Sequence, residues 1–137
     1  MTAKEYLLQI KDLNKEVVDQ EDYIQRLKDS LGIAGISYDD ERVQSSPNTD
    51  KFAHIFAQID EQEEILAKLK QNLIEIRIKI INMIHELEDE KHRRLLNIVY
   101  VDMKSLKKAS NIMSFSYDYV KELHGRALCA FSEKFLP

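Results

Sequence analysis

From Phe52 to Leu87 apolar residues recur in strictly alternating steps of three and four, through Ile55, Ile59, Leu66, Leu69, Leu73, Ile76, Ile80 and Met83, with Gln62 in one slot. A repeat of 3.5 residues places every one of these side chains on a single stripe of an α-helix. It favours a left-handed coiled coil over a helix lying on a broad core. The stretch LIEIRIKII, residues 73–81, alternates like a strand, but it stays in phase with the seam on both sides and holds no breaker, so it reads as helix. Ile74, Ile78, Ile81 and Ile84 widen the stripe in this part. A wide stripe implies contact with more than one partner helix.

A second seam precedes it, through Tyr6, Ile10, Leu13, Val17, Ile24, Leu27 and Leu31, with Gln20 in the missing slot. Thr2 and Glu5 form a capping-box pair that starts this helix near the first residue. Gly32 is placed to end it. The two seams predict a long antiparallel coiled-coil hairpin over residues 1–88, in contact through Leu13, Val17, Leu66, Leu69, Leu73, Ile76 and Ile80, and dimerised through the broader part. Gln20 and Gln62 are either polar devices that select one register or amides reaching solvent at the edge of the seam.

Between the seams, about residues 32–50, the sequence loses its period and is rich in Gly, Ser, Asp and Asn, which reads as a loop bounded by Pro47. The chain of 137 residues has only three Gly and two Pro, with 32% charged residues, and the whole reads as all-α. It lacks an apolar run of membrane-spanning length and a signal-peptide layout, so a cytoplasmic location without membrane contact is expected. Its single cysteine, Cys129, excludes an internal disulfide and a multi-cysteine metal site.

Charge is unevenly placed. Residues 1–90 carry 11 basic against 20 acidic side chains and residues 91–137 carry 9 against 4, so a net −4 divides into −9 and +5. Phosphate binding needs clustered Lys and Arg, so nucleic-acid contact is expected in a C-terminal domain, residues 89–137. There SLKKASNIMSFSYDYVKELHGRALCAF, residues 105–131, contains two short helical patterns with a few residues between them, a helix-turn-helix pattern. Ser105 and Ser116 are suited to N-cap the two helices, and Phe115 with Val120 occupy the positions of a hydrophobic staple.

This order of helix, turn, short helix, turn and longer helix resembles region 4 of bacterial sigma factors. The likeness is carried by Leu96 to Tyr100 before the motif, by Ser105, Leu106 and Ala109 in the scaffold helix, and by Ser116, Val120, Leu123, Ala127, Leu128 and Phe131 in the recognition helix. Lys108, Ser110 and Ser114 depart from the usual sigma pattern, Ser114 standing where a turn Gly is frequent. The opening MTAKEYLLQI, the linker VQSSPNTDK and the segment YVKELHGRAL are similar to phage-encoded late-gene regulators of the ArpU and RinA type. The resemblance implies a DNA-binding regulator, in the sense of an activator of phage or prophage genes, working in a bacterial host with its RNA polymerase.

If the matched apolar residues are buried, Tyr117, Asp118, Lys121 and Glu122 project from the turns that enter a major groove, with Ser116 at the start and Arg126 further along. Lys121 suits a guanine edge or phosphate, Tyr117 a phosphate or thymine methyl, and Asp118 a cytosine amine. Glu122 needs a compensating cation. Lys104, Lys107, Lys108, Arg93 and Arg94 are candidate phosphate clamps. The expected partners are double-stranded DNA, host RNA polymerase and a second copy of the chain, with no cofactor, metal or small-molecule substrate. The alternative is a non-catalytic protein-binding module or inhibitor that uses the same fold on polymerase or another host protein. No Gly-rich phosphate loop, nucleophile–histidine constellation or metal-ligand spacing points to an enzyme; His54, His85, His92 and His124 stand without the required neighbours.

Overall fold

A computed structural model of the chain describes residues 1–33 and 49–136, and every regular element among them is a helix. The elements are α1 (Ala3–Leu7), α2 (Gln9–Ile33), α3 (Thr49–His85), α4 (Glu90–Leu96), a π-helical turn (Asn97–Val101), α5 (Leu106–Met113) and α6 (Tyr117–Phe135). The expected loop falls largely on residues 34–48, and with Pro47 it lies outside the described residues. Its expected edges move: Gly32 lies inside α2, and α3 already begins at Thr49. None of the described helices is long and apolar enough to cross a membrane.

The chain forms two compact units, Asn14–Asn72, and Met1–Leu13 together with the chain from Leu73 onward. They cut across the boundary expected between residues 88 and 89. The first thirteen residues and the end of α3 belong with the C-terminal helices, because the apolar faces of Leu7, Ile10, Ile80 and Ile84 close on Leu96, Tyr100 and Phe131.

Within Asn14–Asn72 the α2 and α3 segments meet through Ile24, Leu31, Phe56 and Ile59, all buried. Ion pairs join Lys28 to Glu63 at 2.8 Å and Glu21 to Lys70 at 3.6 Å, in opposite order along the two segments, as between antiparallel helices. Gln20 and Gln62 face each other here. The Gln20 Nε2 amine donates to the Gln62 side-chain oxygen at 2.8 Å and to its backbone carbonyl at 3.0 Å. Of the two readings of these amides, mutual pairing is the one observed.

In the other unit, the capping box forms as the sequence specifies: Glu5 N–H donates to Thr2 Oγ1 at 3.1 Å and Thr2 N–H to Glu5 Oε2 at 3.2 Å. The first helix is not continuous, since a turn at Leu8 separates α1 from α2. Its buried residues Leu7 and Ile10 are fully enclosed, each worth roughly 1.5–3 kcal/mol by removal from water. The carbonyls just beyond the end of α3 are taken by cations from elsewhere in the chain. Lys134 Nζ donates to Glu86 O at 2.6 Å, and Arg93 donates to Leu87 O at 2.6 Å and Glu88 O at 2.9 Å. Cations at this end also oppose the helix dipole.

Asp89 then caps α4, accepting the Lys91 N–H at 2.8 Å, a bond that lowers its carboxyl pKa. The helix expected through Leu95–Tyr100 widens into the π turn at Asn97, where Asp102 N–H bonds to Asn97 O at 2.8 Å. The wider turn lets Ile98 and Tyr100 both be buried, in different clusters. Met103 then takes a left-handed conformation, φ 57°, and delivers the chain to Ser105.

Candidate nucleic-acid interface

Two serines set where α5 and α6 begin. Ser105 Oγ accepts the Lys108 N–H at 3.1 Å and Ser116 Oγ the Tyr119 N–H at 3.2 Å, so each helix has one of its free amides satisfied. Between them Ser114 adopts the left-handed conformation, φ 60° and ψ 38°, that stops α5. Phe115 packs on the cluster containing Val120, as a staple requires, and also meets Tyr119 edge-on at 5.0 Å.

Ala109 and Met113 of α5, Val120 and Leu123 of α6, and Leu95 and Ile98 before them form one buried cluster. Ala127 and Phe131 continue the buried face of α6 into the neighbouring cluster, where the Phe131 ring lies 5.9 Å from Tyr6. Ala109, Val120, Leu123, Ala127 and Phe131 thus all face inward, with Leu106 and Leu128 half-buried against the same clusters. With that face fixed, Ser116, Tyr117, Asp118, Lys121, Glu122, Gly125, Arg126 and Cys129 are exposed.

The exposed face is charge-paired. Lys121 Nζ sits 3.5 Å from Asp118 Oδ1 and 4.8 Å from the centre of the Tyr117 ring, while Arg126 lies 3.8 Å from Glu122. Exposed pairs of this kind contribute about 0–1 kcal/mol, so these cations can exchange partners at little cost. Gly125, just before Arg126, is exposed, and a methyl group built on it would meet no side chain and no other element within 4 Å. The carboxylate of Glu122 therefore has the compensating cation that its position requires.

Lys104, Lys107 and Lys108 are exposed around the start of α5, and Arg94 is exposed on α4. Arg93 is not part of this set. Its guanidinium is committed to the carbonyls after α3, which fix the chain path into α4. Lys91, not singled out from the sequence, stands 5.5 Å from the centre of the Phe115 ring and 3.5 Å from the Tyr119 hydroxyl, beside the turn. Its spacing from Phe115 carries no local signal, because the contact depends on the fold.

A cleft of about 370 Å³ opens on the other side of α5's start, lined by Lys4, Leu8 and Lys11 from the N-terminal helices and by Val99, Tyr100, Met103, Lys104, Ser105, Leu106 and His124. At its polar end the Tyr100 hydroxyl and His124 Nε2 are 2.7 Å apart. Burial and the nearby Lys4 ammonium lower the His124 pKa. Lys4 and Lys11 went unmarked in the sequence because they lie in its acidic half, remote from the C-terminal basic residues.

His85 is exposed, and His92 lies 3.8 Å from Asp89; among the described residues no His, Cys, Asp and Glu cluster could hold a metal ion. Neither a family model, a characterised protein nor a solved structure matches the chain.

Proposed function

We propose that the chain is a DNA-binding transcription regulator, an activator of phage or prophage genes that works on promoter DNA with a host RNA polymerase. In this reading α5, its turn and α6 are a sigma region 4-like helix-turn-helix. One observation carries it: Tyr117 and Lys121 are exposed side by side in the first turns of α6, with Arg126 exposed further along, while Lys104, Lys107 and Lys108 surround the start of the helix before it. That arrangement suits a recognition helix in a major groove flanked by phosphate contacts. Lys121 and Tyr117 are the base-reading candidates, Asp118 and Glu122 accept from exocyclic amines, and the three lysines bind the backbone. Ser116 caps the helix and keeps its hydroxyl proton for a phosphate.

The long helices supply the handle. Ile74, Ile78 and Ile81 lie at helical spacing on α3 and are 57%, 54% and 36% exposed, an apolar stripe suited to the same stripe of a second copy. A coiled-coil hairpin dimerised along α3 would present two recognition helices to one duplex.

The alternative is a protein-binding module or inhibitor that meets polymerase or another host protein without reading DNA. The observation favouring it is that α6 exposes as many paired carboxylates as cations, Asp118 with Lys121 and Glu122 with Arg126. Salt separates the two. Fluorescence anisotropy of a labelled duplex should show binding that weakens steeply as salt rises and falls with Lys121→Ala. If no salt-dependent DNA binding occurs, with or without polymerase, the regulator reading is wrong and the protein-binding one takes its place.

A further inference from the structure

We infer that the DNA contact extends onto the N-terminal helices, with Lys4 and Lys11 binding backbone phosphates of the same duplex beside Lys104. The inference rests on the regulator reading and deepens it by adding a second segment of chain to the footprint. Lys4, Lys11 and Lys104 line one cleft, and no carboxylate lines it with them. None of the three forms an ion pair with a described residue. The nearest N-terminal carboxylate, Glu5, is turned back onto the Thr2 N–H.

Three unpaired ammonium groups around a partly apolar cleft repel one another unless an anion joins them. The walls between them are apolar, from Leu8, Val99, Met103 and Leu106, and offer the ammonium groups no protein carboxylate. Lys4 and Lys11 are seven residues apart and both line the cleft, so at 1.5 Å per residue they stand about 10 Å apart along the helical path. Along the duplex axis one strand advances about 3.4 Å per phosphate, so two lysines set about 10 Å apart in that direction reach phosphates roughly three steps apart. A strand backbone fits this run better than a single compact anion. Its continuation past Lys104 leads to Lys107 and Lys108 at the start of α5.

From the distribution of charge alone, nucleic-acid contact is expected in the basic C-terminal part of the chain. Lys4 and Lys11 reach the site because α1 packs on α6 within one buried cluster, where the Tyr6 ring lies 5.9 Å from that of Phe131. An N-terminal segment that is neutral in sum, with Lys4 and Lys11 against Glu5 and Asp12, is thereby locally cationic on the face it gives to the cleft.

The test measures duplex affinity of the full chain across a salt series by fluorescence anisotropy. The variants are Lys4→Gln/Lys11→Gln and, as a control with one charge removed outside the cleft, Lys15→Gln. Each phosphate contact contributes about 0.9 to the slope of log affinity against log salt, so the double variant should lower the slope by about 2 while Lys15→Gln leaves it unchanged. Circular dichroism confirms that each variant keeps its helix content. If the wild-type chain shows a steep slope that the double variant retains, Lys4 and Lys11 do not touch DNA, and the regulator reading stands without them. If the wild type shows no salt-dependent binding at all, both readings fall together.

Discussion

The Tyr100 hydroxyl lies 2.7 Å from His124 Nε2, joining the π turn to the middle of α6 where the cleft meets the core. Burial and the Lys4 charge favour the neutral imidazole, which shares one hydrogen bond with the phenol, its direction set by the ring tautomer. Burial also pushes the Tyr100 pKa up to about 12 from 10.0. Both shifts favour the neutral pair.

The signs give opposite edges to a stability plateau. His124 is lowered from 6.5, so as pH falls through 6.5 the unfolded chain takes up a proton that the folded chain resists, and stability drops. Tyr100 is raised, so between pH 10.0 and about 12 the unfolded chain loses a proton that the folded chain keeps, and stability drops again. Urea midpoints measured across both windows should show the two declines, and His124→Gln should flatten the acid one. An acid decline of the same depth in His124→Gln would assign it to other groups.

Ser114 holds φ 60° and ψ 38° at the end of α5. A residue with a side chain pays about 1–2 kcal/mol in that conformation, whereas glycine does not. Ser114→Gly should therefore stabilise the protein, by about 0.5–1 kcal/mol after the added freedom of the unfolded chain is subtracted. Ser114→Val should destabilise it by more. Thermal unfolding reads both, and a lower midpoint for Ser114→Gly would show that the turn is not under strain.

How much of this was legible in the sequence depends on the range of the interaction. Thr2 with Glu5, Ser105 and Ser116 act within four residues of themselves, and each cap forms where its residues predict. The buried face of α6, Val120, Leu123, Ala127 and Phe131, was likewise set by a 3.6-residue period. What the sequence hid was tertiary. The turn at Leu8 and the π turn from Asn97 have no breaker residue, and no local pattern announces that α1 packs on α6 or that Arg93 turns to Leu87 O. The candidate site divides in the same way. The exposure of Tyr117 and Lys121 follows from periodicity, whereas the approach of Lys4 to Lys104 depends on the fold.

Gln20 and Gln62 answer each other across α2 and α3. A hydrogen bond of this kind contributes about 0.5–1.5 kcal/mol, so a double-mutant cycle with Gln20→Ala and Gln62→Ala should return a coupling in that range. Gln20→Leu/Gln62→Leu should raise the urea midpoint above wild type if the amides select the register, since a polar pair in a seam does so at some cost in stability. A coupling near zero would mean that the amides are solvated and set no register.

The stripe of Ile74, Ile78 and Ile81 gives the proposed dimer its own test. Leu73 is a poor probe, since it packs against a buried cluster and its loss would damage the fold. Ile78 is 54% exposed, so Ile78→Glu changes a surface and not a core. Light scattering should give twice the chain mass for wild type and the single mass for Ile78→Glu, at equal helix content by circular dichroism. A wild-type chain of single mass would refute dimerisation by this face.

Glu122 and Lys121 adjoin on α6 and have opposite effects on a polyanion. Lys121 is held by Asp118 and Tyr117, and Glu122 by Arg126, so under the proposed function each cation would leave a partner on binding DNA. Because those exposed pairs are weak, the exchange costs about 1 kcal/mol or less per pair. Glu122→Gln removes a carboxylate from the interface and frees Arg126, so duplex affinity should rise several-fold at low salt, with a steeper salt slope as Arg126 gains a phosphate. Lys121→Gln should do the reverse. A protein partner docking on the same face would instead use Glu122 as an acceptor, and Glu122→Gln would then weaken its binding. Measuring both variants against a labelled duplex and against purified polymerase assigns the face of α6 to one partner or the other by the sign of the Glu122 effect.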